Sequence, residues 1–416
     1  MSEDSKQSTL LLDRSDVRVN HETGIAATIR SFIDKVRSGD LGSLPVVVGL
    51  VIIWTVFGTL NPTFLSSNNL ANLLFDASTV GIISLGIVCV LMVGEIDLSV
   101  GSISGFASAM VGMLWVNEGW PVALAILAAL VFGGVIGTVY ALLFNRLGMP
   151  SFVSTLAGLL AVLGMQLYLL GATGSINLPY GSAIVNFGQL MVIPRPLAYL
   201  FALVPGLVML FSGFGTVRRR RRANLSAPSA GGIVAKAVAI TVALEFVAFY
   251  LNQDRGIPWM FALFVVLVIV MDYALTRTQW GRSMSAVGGN REAARRAGIN
   301  VRRIYTSAFV LCAMFAALGG VLAAARLASA SQQAGTGDVN LNAIAAAVIG
   351  GTSLFGGRGS AYSALLGIIV IQSIASGLTM LDLSSALRYM ITGAVLAIAV
   401  IVDSLARRSR ASHGRG

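Results

Sequence analysis

Hydrophobic and polar positions along this chain segregate into long blocks. Apolar runs lie at approximately 44–60, 78–94, 98–116, 121–144, 151–171, 197–214, 233–251, 258–275, 304–326, 341–355, 360–379 and 387–405. A helix needs roughly 20 apolar residues to cross the hydrocarbon core of a bilayer. The pattern therefore predicts an all-α, polytopic membrane helix bundle of about 12 helical segments, within a range of about 10–12. Ahead of the first run the chain is polar. Residues 1–20 read as disordered, and no cleavable signal is recognisable in residues 1–40. Residues 24–37 differ, because Ile25, Ile29, Phe32, Ile33 and Val36 recur at helical spacing with Arg30, Lys35 and Arg37 available to the other face. They predict a helix that either lies on the inner membrane surface or packs in the cytoplasm. The chain thus divides into an N-terminal tail at 1–43, a transmembrane domain at 44–405 and a C-terminal tail at 406–416.

Basic residues orient the bundle. With the N-terminus inside, about 25 of the lysines and arginines fall in inner segments and about 4 outside, namely Arg195, Arg255, Arg326 and Arg388. That bias predicts an even number of crossings and both termini in the cytoplasm. A merger of 78–94 with 98–116, or a failure of 341–355 to cross, would break it. The outer loop at 172–196 holds Gly174, Pro179, Gly181, Pro194 and Pro196 and is too irregular for a long helix. The inner segment 215–232 carries five adjacent arginines, Arg218 to Arg222, which read as a topogenic loop touching anionic membrane lipid.

Composition narrows the function. Of 416 residues, 56% are hydrophobic and only 11% charged, against about 25% charged in soluble domains. The net charge of +11 does not point to nucleic acid, because the basic residues lie in short loops between apolar runs. Cys89 and Cys312 fall inside apolar runs and read as packing residues. His21 and His413 lie in the tails, so no His–carboxylate metal site is expected within the spans. Lys6, Lys35 and Lys236 are the three lysines, and none ends a phosphate-cradling Gly-x-x-x-x-Gly-Lys-Ser/Thr loop. If ATP drives this protein, another subunit binds it.

The most informative polar stretch is Gly281 to Arg303. With Arg277 it carries seven arginines: Arg277, Arg282, Arg291, Arg295, Arg296, Arg302 and Arg303. Asn290 can cap a helix start. Glu292 stands in the first turn, where the helix dipole favours an anion. Gly298 occupies the position of a left-handed C-terminal cap. The result is a helix of about two turns, roughly 10 Å long, tied at both ends to membrane spans. Read without further context, it is either a handle through which a partner moves the spans or a solvated basic loop.

Several residues inside or beside the spans need a reason. Glu95 and Asp97 stand two apart between apolar runs, a spacing that does not share one helical face. They suit a break between helices, with Asp97 able to cap the next one and Ser99 allowing close packing. The break is either a simple turn at the inner interface or a discontinuous element near a solute path. Used as a proton relay, the two carboxylates would instead belong to a proton-coupled carrier. Ser151 and Thr155 open a span behind Pro150 and either line a polar path or bond to neighbouring helices. Around Gly350, Gly351 and Thr352 the run 341–360 is short and glycine-rich, fitting either an unwound helix or a tightly packed span. No nucleophile or metal constellation for an enzyme is apparent.

Glu292-Ala293-Ala294, three residues and then Gly298 resemble the "EAA" coupling loop of ATP-binding-cassette (ABC) importer permeases. The longer string from Ala286-Val287-Gly288-Gly289-Asn290 to Gly298-Ile299-Asn300-Val301 resembles the ribose/xylose-type sugar permeases within that group. The stretch from Gly94 to Ser102, and Ala345 to Ser353, are similar to the same family. Leu251-Asn252, Arg255-Gly256, Pro258, Thr276-Arg277-Thr278 and Gly281-Arg282 resemble its xylose branch. The resemblance runs from about 64 to 405. It implies a permease of the cell (inner or plasma) membrane that works as a homodimer and binds no cofactor itself. ATP and Mg would sit on a cytoplasmic ABC ATPase subunit, and an extracytoplasmic sugar-binding protein would deliver a monosaccharide. A pentose is favoured, with D-xylose the best single choice and ribose the alternative. Within the coupling loop 276–303, Gly289, Asn290, Glu292, Ala293, Ala294 and Gly298 would meet the ATPase.

Overall fold

A computed structural model of the chain describes residues 44–384, 386–394, 397 and 401. Its elements begin and end where local chemistry allows. Leu44–Leu60 forms α1. It stops at Asn61-Pro62, where the Asn61 side chain accepts from the Thr63 N–H at 3.0 Å and opens a tight 3-10 turn. The Ser66 hydroxyl then caps α2 (Ser67–Met92). Next come α3 (Val100–Val111), which continues as a wider π-helical turn over Gly112–Asn117, and α4 (Val122–Leu147). A left-handed Gly148 ends α4, and Pro150 introduces α5 (Ser151–Leu170). A short strand, β1 (Ser175–Asn177), precedes α6 (Ala183–Gln189), α7 (Arg195–Arg222), α8 (Ala230–Leu251) and α9 (Trp259–Arg277). The polar stretch supplies α10 (Gln279–Gly289) and α11 (Arg291–Arg296). The chain then runs through α12 (Val301–Leu327), β2 (Ser329–Ser331), α13 (Val339–Ile349) and α14 (Ala361–Met380). Among the described residues, nine helices are long and apolar enough to cross a membrane, and two shorter apolar helices, α1 and α13, join them. The polytopic helical architecture read from the sequence holds. Among the described residues the departures from all-α are one three-residue antiparallel pairing, with Ile176 opposite Ala330, and a single bridge between Val192 and Pro258.

The chain separates into two compact units, one containing residues 193–256 and the other residues 42–192 and 257–405. The first is the α7–α8 hairpin. Here the arginine-rich loop placed at 215–232 needs correction, because Arg218 to Arg222 are helical and the connection is only residues 223–229. Arginine is a good helix former, and cations in a last turn complement the negative end of the helix dipole. Asn224 turns the chain with a φ of 53°, and the Arg220 Nε donates to the Ser226 carbonyl across the turn.

In the second unit α12 runs through the middle, packed against α2, α3 and α4. Lipid offers no hydrophobic drive between helices, so close backbone approach at small residues carries the packing. A Cβ at Gly133 would stand 2.6 Å from the Ala313 carbonyl oxygen, and one at Gly137 2.5 Å from that of Phe309. Cys89 and Cys312 are both buried and unbridged, the packing role read from the sequence. On the other flank α1 lies along α14, where the Trp54 indole N–H donates to the Ser373 hydroxyl at 2.9 Å. Farther along the bundle Arg326 pairs with Asp76 at 2.8 Å and lies 5.0 Å over the Phe75 ring.

Two elements cross only part of this unit. α13 has 11 residues, about 16 Å of helix against roughly 30 Å of hydrocarbon. α3 begins beside the middle of α12, since Asp97, just ahead of it, lies against Cys312, the twelfth of 27 residues in that helix. The run placed at 341–355 is therefore half helix and half turn. The helix read at 24–37, the tail at 406–416 and most of the last run at 387–405 lie outside the described residues.

Candidate functional site

α11 is six residues long, and its ends are fixed by side chains next to it in sequence. The Asn290 carboxamide oxygen accepts from the Ala293 N–H at 2.9 Å, and that of Asn300 accepts from the Arg303 N–H at 3.1 Å to open α12. Between them Gly298 turns with a φ of 82°, a conformation in which a Cβ is strained. Glu292 pairs with Arg295 at 2.8 Å, and both side chains are mostly exposed, so the pair adds little stability. The exposed surface of α11 includes Glu292, Ala293, Arg295 and Arg296, whereas Ala294 is buried. Ala294 thus faces the protein, unlike the other residues proposed for partner contact on this helix. Arg291 folds back over two aromatic rings, with its guanidinium carbon 5.6 Å from the Phe144 centroid and 5.4 Å from that of Tyr305.

The polar stretch does not end at α11. Gly288, in the last turn of α10, packs against the terminal carbonyl of α2, so a Cβ there would overlap the Met92 carbonyl oxygen. The Gly357 N–H donates to that same oxygen at 2.9 Å. Gly94 touches Gly356 next door, and Gly356 and Gly357 both have positive φ. Three glycine-bearing segments therefore converge on the end of α2. One of them is the turn that follows α13, where Gly350 lies against the Ser363 carbonyl, Gly351 has a φ of 107°, and the Thr352 N–H bonds to the Ala347 carbonyl at 3.0 Å.

From this junction the chain runs without helix from Val93 to Ser99 and re-enters the bundle. Glu95 lies outside the spans, facing Ser151 and Arg291. Burial pushes its carboxyl above the usual range, opposed by the Ser151 hydrogen bond and the Arg291 charge. Asp97 is fully buried and accepts from the Ser99 N–H at 2.8 Å and the Ser99 hydroxyl at 2.6 Å. This is a local turn that sets the start of α3, with Ser99 at the cap position. Thr155 holds the same loop from α5, accepting from the Leu98 N–H at 3.2 Å and donating to the Ser151 carbonyl at 2.9 Å. The simple interfacial turn offered as one reading of Glu95–Asp97 does not fit, because Asp97 lies beside the middle of α12. Ser151 and Thr155 bond to a neighbouring segment.

One step beyond, the Gly101 N–H in the first turn of α3 donates to the Asn340 side chain at the start of α13. Gly335 leans on Gly101, and the Gln166 amide donates to the carbonyls of Ser331 and Ala334, both at 2.9 Å. The two partial helices thus meet N-terminus to N-terminus. The structure brings Glu95, Asp97, Ser99, Ser151 and Thr155 into one continuous assembly with Asn290 to Gly298, by way of Gly288 and Arg291. Gly350 to Thr352 join it from the other side. Sequence reasoning missed Asn340 and Gln166 and named Gly288 only within the string from Ala286 to Val301. The paired glycines at 288–289 and 356–357 were the visible signal, but neither pair names its partner. Among the described residues no group of His, Cys, Asp and Glu could hold a metal ion.

Comparison with known proteins bears on this assembly. The family model described as "Branched-chain amino acid transport system / permease component" matches residues 69–400. The xylose transport system permease protein XylH of Escherichia coli is 34% identical over 365 residues, 87% of this chain and 90% of its own length. XylH of Haemophilus influenzae is 31% identical over 373 residues, 89% and 98% of the two chains. The ribose import permease protein RbsC of Escherichia coli is 28% identical over 361 residues, 86% and 92%. No solved structure matches.

Proposed function

Because the chain belongs to the family of branched-chain amino acid transport system permease components, and is a multi-pass membrane permease subunit, we propose that it is the membrane-spanning subunit of an ATP-driven ABC importer for a monosaccharide. D-xylose is the favoured cargo, since the matched XylH relatives carry that sugar in their names over nearly their whole length. In this reading a cytoplasmic ATPase docks on α11, with Glu292, Ala293 and neighbouring exposed residues forming the contact and Asn290 and Gly298 fixing its shape. A binding protein on the opposite side of the membrane delivers the sugar, and two copies of the chain enclose the path.

The observation that carries the proposal is the unbroken chain of contacts from α11 to the centre of the bundle. Displacement of α11 is transmitted by Gly288 to the end of α2 and the turn at Gly357. From there it passes through the 93–99 loop to the start of α3. Force applied outside the membrane therefore reaches a helix that begins inside it. The chain's residues position and couple, while ATP chemistry is supplied by the partner.

The test uses proteoliposomes holding the permease with its ATPase and binding protein. D-xylose should accumulate on addition of ATP and should not accumulate from a pH gradient alone. Ala293→Tyr, at an exposed position, should leave the purified permease's melting behaviour unchanged while removing both ATPase capture and uptake. Uphill transport by the permease alone, or normal uptake by Ala293→Tyr, would sink the proposal.

A further inference from the structure

We propose that the arginine end of α7 is a binding site for anionic phospholipids, a collar that grips headgroup phosphates at one level of the membrane. The inference goes beyond the importer reading and does not depend on it. It concerns the α7–α8 hairpin alone.

Length sets the level of the collar. Residues 196–217 separate Arg195 from Arg218 within one helix. At 1.5 Å per residue they give about 33 Å, close to the roughly 30 Å of a hydrocarbon core. Arg218 to Arg222 then continue the helix for roughly 7 Å, about the depth of one headgroup layer.

Because these arginines are helical, they do more than charge a loop. Successive residues turn by about 100°, so five in a row surround the helix axis. One of them serves the hairpin: Arg220 is half-buried, and its Nε donates to the Ser226 carbonyl. Val217, three residues earlier on that side, is buried as well. Arg218, Arg219, Arg221 and Arg222 are exposed and spread over the rest of the circumference.

The missing partner is an anion. No Asp or Glu occurs between Glu118 and Glu245. Glu245 is the sixteenth of 22 residues in α8, about 22 Å of helix from the arginine end. Among the described residues none of the four exposed arginines forms an ion pair. The negative end of the helix dipole, about half a charge, offsets only a small part of four cations. A guanidinium presents a planar fork of N–H donors that matches the oxygens of a phosphate.

The surface beneath the collar selects lipid over a free phosphate or an acidic protein. Phe211 and Phe214 are exposed on α7. Phe214 stands four and seven residues before Arg218 and Arg221, and Phe211 seven before Arg218, so rings and arginines share helix faces. Acyl chains can lie on the rings while their own headgroups meet the arginines above.

The test places a fluorophore on Thr216→Cys, an exposed position half a turn below the first arginine, in the full-length permease. Both native cysteines are buried, so labelling is confined to the new thiol. The protein is reconstituted in phosphatidylcholine vesicles carrying a small share of brominated lipid. Quenching by brominated phosphatidylglycerol against brominated phosphatidylcholine gives the relative affinity. One arginine at an anionic surface corresponds to about fivefold, so a preference of at least that size is expected. It should shrink at high salt. Arg218→Gln, Arg219→Gln, Arg221→Gln and Arg222→Gln combined should bring the ratio to about one, since four-fifths or more of the preference rests on these cations. The matching lysine set keeps the charge and should retain most of the preference. A probe at Val242→Cys, exposed near the middle of α8, should show none. A ratio near one at Thr216→Cys with all five arginines present would overturn the proposal. So would a ratio undiminished by the four glutamines, because the preference would then arise elsewhere. Loss of ATPase capture in the glutamine set, with no lipid preference in the parent, would assign the surface to the ATPase instead.

Discussion

Replacing Gly288 with alanine puts one methyl group where the coupling segment meets α2. That methyl would overlap the Met92 carbonyl oxygen and stand 2.5 Å from the Gly357 nitrogen, where ordinary contact begins at 3.4 Å. All the atoms in the way are backbone, so none can swing aside, and α10 must withdraw by about 0.9 Å or more. Overpacking of this kind costs about 1–3 kcal/mol. The 2.9 Å bond from Gly357 to Met92 lies in the same gap, and its loss adds about 1 kcal/mol. The sum, about 2–4 kcal/mol, corresponds to a roughly 30- to 700-fold fall in the docked arrangement. Gly289 is the control. A Cβ there meets nothing within 4 Å, so alanine should be neutral or stabilise by about 0.4–1 kcal/mol. The assay is the melting temperature of the purified permease, followed by ATP-dependent uptake in proteoliposomes. Gly288→Ala should lower both, whereas Gly289→Ala should leave the melting temperature unchanged or raised. If the two variants behave alike, the glycine junction does not hold the coupling segment.

Two other substitutions probe the rest of the assembly. Asp97→Ala leaves the Ser99 N–H and hydroxyl without their acceptor in a buried site, at about 2–5 kcal/mol, and should strip the protein from the membrane fraction. Asp97→Asn keeps an oxygen in place and should retain most of it, so equal abundance of the two variants would refute the turn's role. Arg326→Met removes a guanidinium that bonds to Asp76 and Asn72 and stacks on Phe75. With Asp76 partly exposed, solvent screening limits the cost to about 1–2 kcal/mol, read as a modest drop in melting temperature that shrinks at high salt. A variant as stable as the parent at low salt would show that the pair contributes nothing.

The sequence was most legible where structure depends on neighbours in the chain. Asn290, Glu292 and Gly298 fit a short capped helix, and α11 has that form, because capping is settled within a few residues. The interruption between α2 and α3 was readable from Glu95 and Asp97 for the same reason. Arg218 to Arg222 misled, because a run of charge says where a membrane span stops and not where a helix does. Contacts distant in sequence left almost no trace. Nothing about Asn340 announces Gly101 as its partner, and a glycine that touches a carbonyl nearly 200 residues away looks like any other glycine. Ala294 shows the limit from the other side, since one residue of the motif is buried against the protein while its neighbours are exposed.

The meeting of α3 and α13 has a consequence for leakage. One helix covers the half of the bundle away from α11 and the other covers the half nearer to it, so two separate pieces of backbone can close the two halves. An airlock requires such an arrangement: two doors, each able to move while the other stays shut. Each door begins beside a carboxylate, Asp97 ahead of α3 and Asp338 at the N-cap position of α13, so the partial positive charge of the two helix starts is met by acidic groups at the threshold between the doors.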